Sequence, residues 1–211
     1  MSNAFAAQLD RLIGEAVAAL REGLIVAYPT ETFYGLAADP FSRAAMERLL
    51  ALKGREAAKT VALIAADAES AFALASAIPP FALKLADRFW PGPLTLVMPA
   101  RGGLNQALVG PDSGVGVRVS PHPIARALAA GFGRPITATS ANLAGQPPAS
   151  TIAMARVAFG SGVSVYLDGG VLEAASPSTV VACDASGWRI IRTGAISADQ
   201  IAAVLAAREE R

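Results

Sequence analysis

Four groups of polar side chains stand in otherwise apolar surroundings, and their types set which chemistries are open. Thr30 and Thr32 lie in PTETFYGL, between a short apolar run and the aromatic pair Phe33 and Tyr34. Their hydroxyls suit a small polar ligand, or they close the hydrogen bonds of a turn. Lys53, Arg55 and Lys59 form the densest cationic run of the chain. A guanidinium forks onto paired oxygens and an ammonium acts as a point charge, a combination that clamps polyphosphate, although a short basic run more commonly forms a solvated face. In TATSAN, Ser140 and Asn142 can donate to phosphate or supply oxygens to a magnesium shell, or they can close an Asx or Ser turn. Arg118 and Arg192 sit within VGVRV and at the end of WRIIR, where an unpaired charge is costly. Each therefore needs an anionic partner, either a structural carboxylate or a ligand.

The remaining reactive types point away from acid–base or metal catalysis. His122, the one histidine, lies between two prolines and reads as a capping or packing residue. Cys183, the one cysteine, sits in TVVAC and reads as a small buried hydrophobe. Asp168 in YLDGG reads as a turn former, and Phe33, Tyr34, Phe89 and Trp90 as core. One Cys and one His exclude a disulfide framework, Cys-rich zinc sites and HExxH, and leave a single candidate base for a nucleophilic triad. Neither GxxxxGK[ST] nor GxGxxG occurs. The chemistry that fits is positioning and neutralisation of anions.

These groups must be held by short elements. Leu9, Leu12, Ile13, Ala16, Val17 and Leu20 recur at helical spacing, with Gly23 placed as a left-handed cap. LIVAY is a strand ended by Pro29, and PTETFYGL reads as a turn. A helix capped by Ser42, the connection KGREAAK and the strand VALIAA follow. Asp67 and Pro79-Pro80 open two more helices, and WPGP precedes the strand LTLVM. VGVRV, a helix around Ile124 to Leu128, PITATS, a helix from Ser150 and VSVYL continue the alternation. TVVAC and WRIIR, separated by DASG, predict a hairpin, and Ser197 with Gln200 has the spacing of a capping box. The expected fold is α/β: a twisted mixed β-sheet flanked by helices, in one domain spanning 1–211.

The 211 residues, 53% of them hydrophobic, suffice for one core without staples. Eighteen basic against 17 acidic residues leave a net charge of +1, so a basic site has to be local. The mean hydropathy of +0.43 is raised by alanine, and no apolar run approaches the roughly 20 residues of a spanning helix. Asp10, Arg11 and Glu15 interrupt the place where an export signal would carry its apolar core, so a cytoplasmic protein with no membrane partner is expected.

Taken in order, YPTETFYGLAAD, Lys53-x-Arg55 with Lys59, FWPGPLTLV, VGVRV with HP after it, Ser140-Ala141-Asn142 leading into AGQPP, PSTVV and IIRTGAIS resemble the YrdC-type threonylcarbamoyl-adenylate synthases. The match runs over about 24–197, and the chain resembles the short, single-domain form. The resemblance implies an open, basic concave cleft and a reaction: L-threonine, bicarbonate and ATP give threonylcarbamoyl-adenylate and pyrophosphate, for threonylcarbamoyladenosine modification of tRNA. Threonine's amine captures CO2 or bicarbonate as a carbamate, whose oxygen attacks the α-phosphate. By the same resemblance, Thr32, Arg118 and Ser178 form the threonine site, and Lys53, Arg55, Lys59, Ser140, Asn142 and Arg192 the ATP side. Lys53, Arg55, Ser140 and Asn142 would carry catalysis, Mg2+ would arrive with ATP, and Arg118 and Arg192 would meet ligand anions. Partners would be a downstream threonylcarbamoyl transferase complex and, weakly, tRNA or double-stranded RNA. The stretch REAAKTVAL departs from the family, which commonly carries prolines around that lysine.

Three other readings compete: a non-catalytic RNA-binding module, a carbamoyl-adenylate-forming domain like that of hydrogenase maturation proteins, and a small amino-acid or nucleotide sensor. Steep salt dependence of RNA affinity would mark the first, and ATP turnover would exclude the last.

Overall fold

The helical stripe from Leu9 to Leu20 winds into α1 (Asn3–Arg21), and Gly23 ends it at φ +72°. The structure is a computed structural model that describes residues 3–54, 60–173 and 176–206. Strand β1 (Val26–Tyr28) follows, but PTETFYGL is not all turn: Gly35–Ala37 forms β2, antiparallel to β1 with Tyr28 opposite Gly35. Three residues offer no alternation to read. Glycine fits there closely, because a Cβ at Gly35 would lie 3.3 Å from the Tyr28 ring, a tight contact.

The next elements follow the predicted order. Ser42 caps α2 (Arg43–Leu52), β3 is Leu63–Ala65, and Asp67 with Ser70 forms a reciprocal capping box on α3 (Ala68–Phe72). Helix α4 (Pro80–Phe89) precedes β4 (Leu94–Pro99) and β5 (Gly114–Val119). His122 caps α5 (Pro123–Phe132), its Nδ1 accepting from the Ile124 N–H at 3.3 Å, as its place between prolines predicted.

PITATS divides. Ile136–Thr137 is β6, antiparallel to β3, and Thr139–Ser140 is β7, antiparallel to β2. Helix α6 (Ile152–Phe159) is capped by Thr151, one residue beyond the predicted start, and β8 (Val165–Tyr166) runs parallel to β1. The predicted hairpin is β9 (Thr179–Asp184) with β10 (Gly187–Arg192), and the Ser197–Gln200 box caps α7 (Ala198–Ala206).

Where one twisted sheet was expected, two form. β7-β2-β1-β8 makes one and β10-β9-β4-β5-β3-β6 the other, both mixed and both flanked by helices. Thr137 joins them: its hydroxyl donates to Leu36 O at 3.0 Å and accepts from Ala38 N–H at 2.8 Å, and its carbonyl accepts from Tyr28 Oη at 2.9 Å. The larger core holds Tyr34, Leu49, Leu63, Leu94 and Val117, and a second packs α1 and α5 through Val17, Leu20, Leu128 and Phe132. No helix among the described residues is long and apolar enough to cross a membrane.

Candidate active site

A cavity of about 1220 Å³ takes walls from both sheets, with Thr32, Tyr34 and Ser140 on one side and Arg118, Ser178 and Arg192 on the other. Five of the nine predicted site residues therefore share one space. Lys53 and Asn142 stand outside its lining, and Arg55 and Lys59 lie outside the described residues.

Arg118 comes from β5, whose six residues are all buried. Its partner in the structure is a carboxylate of the chain itself: Nη1 donates to Glu31 Oε1, and to Thr32 Oγ1 at 3.3 Å. Within the chain the anion that meets this guanidinium group is therefore a structural carboxylate, and it occupies Nη1 alone. The second Glu31 oxygen accepts from Ser120 Oγ, and Ser120 Oγ accepts from the His122 N–H at 3.2 Å. Burial outweighs the pull of Glu31 and holds the His122 imidazole below the usual histidine pKa.

The threonine pair is both turn and site. Thr30 Oγ1 donates to Phe33 O at 2.7 Å and accepts from the Thr32 and Phe33 N–H groups. Thr30 Oγ1 and Thr32 Oγ1 lie 3.0 Å apart, and the Thr32 oxygen also accepts from Arg118.

Arg192 reaches the cavity because of a bulge. The register slips between Ile190 and Arg192, so Arg189 lies opposite Ala182 and Arg192 opposite Val180, which puts both arginines on one face. Arg189 pairs with Asp112, whereas Arg192 donates to Ser178 O at 2.9 Å and Ser178 Oγ at 3.1 Å. Ser178 Oγ also meets Thr95 Oγ1 at 3.0 Å. Among the described residues no carboxylate lies within ion-pair distance of Arg192. Burial, and then the charge of Arg118, lower its pKa.

Lys53 is the C-cap of α2 and only 3% exposed, which overturns the solvated-face reading. Its ammonium donates to the carbonyls of Ser140 at 2.6 Å and Asn142 at 2.7 Å. Ser140 Oγ meets Asn142 Oδ1 at 2.5 Å, and Asn142 Nδ2 donates to Gln146 O at 2.6 Å. Lys53 and Asn142 thus brace the turn that carries Ser140 into the cavity. Asp168 closes a turn onto the Gly170 N–H at 2.8 Å, as predicted, and burial raises the Tyr34 hydroxyl to about 12 while it donates to Gly170 O at 2.7 Å. Cys183 is buried and its thiol is likewise raised to about 12, which fits the small hydrophobe predicted.

A family model, Sua5_yciO_yrdC, described as "Telomere recombination", matches residues 18–194. The chain belongs to the Sua5/YciO/YrdC family. This family member is 44% identical over 168 residues, 80% of this chain and 90% of the relative, to the threonylcarbamoyl-AMP synthase of Chromohalobacter salexigens. Among solved structures it is similar to P. abyssi Sua5 complexed with L-threonine, at 36% identity and a TM-score of 0.86, covering 92% of this chain and 57% of that one. The chain thus spans little more than half of that Sua5. E. coli YciO aligns at 26% identity and a TM-score of 0.80 over 88% of this chain and 90% of its own.

Three residues of this family member's site escaped the sequence reading: Glu31, Thr95 and Ser120. Ser120 was within reach, since it follows Arg118 by two and so shares its face of β5 and the residue beyond. Glu31 stands between two threonines, and nothing local signals that its carboxylate meets a strand 87 residues away.

Proposed function

We infer that this chain is a threonylcarbamoyl-AMP synthase. The observation that carries the reading is its 44% identity across 90% of a relative of that name. The cavity supports it by gathering Thr32, Arg118 and Ser178 with Ser140 and Arg192. L-Threonine would sit with its carboxylate toward Arg118, close to Thr32 and Ser178, and ATP toward Ser140 and Arg192, with Lys53, Arg55, Lys59 and Asn142 acting on the nucleotide side. The amine forms a carbamate with bicarbonate, releasing water. A carbamate oxygen then attacks the α-phosphorus and the bond to pyrophosphate breaks. The protein's contribution is to hold two anionic reactants together and to offset charge as pyrophosphate departs.

Magnesium would enter with ATP. Among the described residues no three His, Cys, Asp or Glu side chains form a metal cluster. The hydroxyl and guanidinium donors of the cavity suit an ion held mostly by phosphates and water. The product would pass to a threonylcarbamoyl transferase acting on tRNA in the cytoplasm, with weak contact to tRNA or double-stranded RNA. The carbamoyl-adenylate reading is not favoured, because the similar curated relatives carry the threonylcarbamoyl name.

The test is pyrophosphate release from MgATP with and without L-threonine and bicarbonate, with the product mass measured. Release that needs both co-substrates is expected, and Arg118→Ala should raise the threonine KM by at least about tenfold, the loss of a charge-assisted fork. Folded protein that releases no pyrophosphate under any combination would overturn the synthase reading.

A further inference from the structure

Glu31 has no role in the reading above, yet its side chain is only 13% exposed and faces an Arg118 side chain that is 9% exposed. Each of its oxygens has a defined partner: Oε1 takes Arg118 Nη1, and Oε2 takes the Ser120 hydroxyl. Ser120 is itself fixed, because its hydrogen goes to Glu31 while its oxygen accepts the His122 N–H at the entrance of α5. A hydrogen-bonded path therefore runs from the start of α5 through Ser120 and Glu31 to the guanidinium.

The arithmetic of the guanidinium shows what this path achieves. The two hydrogens of Arg118 Nη1 are both taken, one by Glu31 and one by Thr32. Nη2 and Nε have no protein partner among the described residues, and no buried side-chain nitrogen lacks a partner, so both are accessible atoms. The accessible space that Arg118 lines is the cavity. With Nη1 held by Glu31 and by the cavity-lining Thr32, the Nε and Nη2 edge is what is left for a ligand, and that edge matches the two oxygens of a carboxylate.

We propose that Glu31 is the positioning residue for carboxylate recognition, locking the Arg118 fork so that this site distinguishes a free amino-acid α-carboxylate from its amide. The proposal rests on the synthase reading, in which that carboxylate belongs to threonine. Displacement of Glu31 by the substrate is the competing idea, and burial disfavours it, because the released carboxylate would have to leave two partners for a largely enclosed site.

The experiment measures, by calorimetry, the affinities of L-threonine and L-threoninamide for wild type, Glu31→Ala, Glu31→Gln and Ser120→Ala, with ATP affinity and thermal melting followed in parallel. Wild type should prefer threonine by at least about tenfold, the worth of a bidentate charge-assisted pair. Glu31→Ala should bring that preference to within about threefold while ATP affinity changes by less than about twofold. Glu31→Gln should fall between, since its amide oxygen still accepts from Nη1 without the charge. Should Glu31→Ala fail to fold, Glu31→Gln and Ser120→Ala carry the test, each lowering the preference. A purely structural role would leave the ratio of the two ligands unmoved, and that result overturns the proposal, as does tighter threonine binding in Glu31→Ala. Wild type that binds both ligands equally also overturns it. Wild type that binds neither overturns the synthase reading as well, so the two failures are told apart.

Discussion

Lys53 shows how far a side chain's neighbours in space can change its meaning. In sequence it is a cation at the end of an amphipathic helix, in front of Gly54 and Arg55. In the fold it is enclosed, and its ammonium draws the carbonyls of Ser140 and Asn142 onto one point. Each such charge-assisted bond contributes about 1.5–3 kcal/mol, and without it the Ser140 carbonyl keeps only the Asn142 N–H, at 3.0 Å. Lys53→Met, which keeps the aliphatic stem, should therefore lower unfolding stability by about 3 kcal/mol in urea titrations. It should also reduce pyrophosphate release more than that loss of folded protein accounts for, because the turn holding Ser140 loosens. A change below about 0.5 kcal/mol would mean that the ammonium is not what holds the turn.

Among the elements, α5 has the one cap that titrates near neutrality. His122 accepts the Ile124 N–H through Nδ1, which only the unprotonated ring can do, and burial depresses its pKa. A histidine whose folded pKa is lowered contributes stability that is complete above its unfolded value and lost as the pH falls through the folded one. Asparagine caps equally well and does not titrate. The melting temperature of wild type should therefore fall more than that of His122→Asn between pH 7 and pH 5. Parallel curves would show that protonation leaves the cap intact. At the far edge of the larger sheet the hairpin matters for its bulge: at Ile191 it sets Arg192 beside Arg189 on the cavity face, where an unbroken alternation would put them on opposite faces.

The chain passes between its two sheets three times, and the shortest of these crossings is at Thr137. Thr137, fully buried, ends β6 in the larger sheet, and two residues later β7 begins in the smaller one. Its hydroxyl bonds both Leu36 and Ala38 across that junction. Thr137→Val keeps the shape but strands a buried N–H and a buried carbonyl, a change that should cost about 2–3 kcal/mol by denaturant titration. Since the cavity takes its walls from both sheets, threonine and ATP affinities should weaken together in this variant. Unchanged stability would place the coupling elsewhere, for instance on the Tyr28 hydroxyl, which donates to the Thr137 carbonyl, and on the Thr137 N–H, which donates to Ala38 O.

Helix α1 with its Gly23 end, the caps at Ser42, Asp67 and Ser197, and the final hairpin were all legible in the sequence, as was the family from its ordered motifs. These features depend on residues within a few positions of each other, so the chain order contains the information. The cavity's residue types were legible too, down to the requirement that Arg118 find an anion. Which anion it finds, and that Lys53 turns inward, were decided by tertiary structure, because both contacts join residues 87 positions apart. The division into two sheets was decided there as well. Strands of two or three residues carry too little alternation to declare a partner, and closure of the chain around Thr137 is what sets β6 on β3 and β7 on β2.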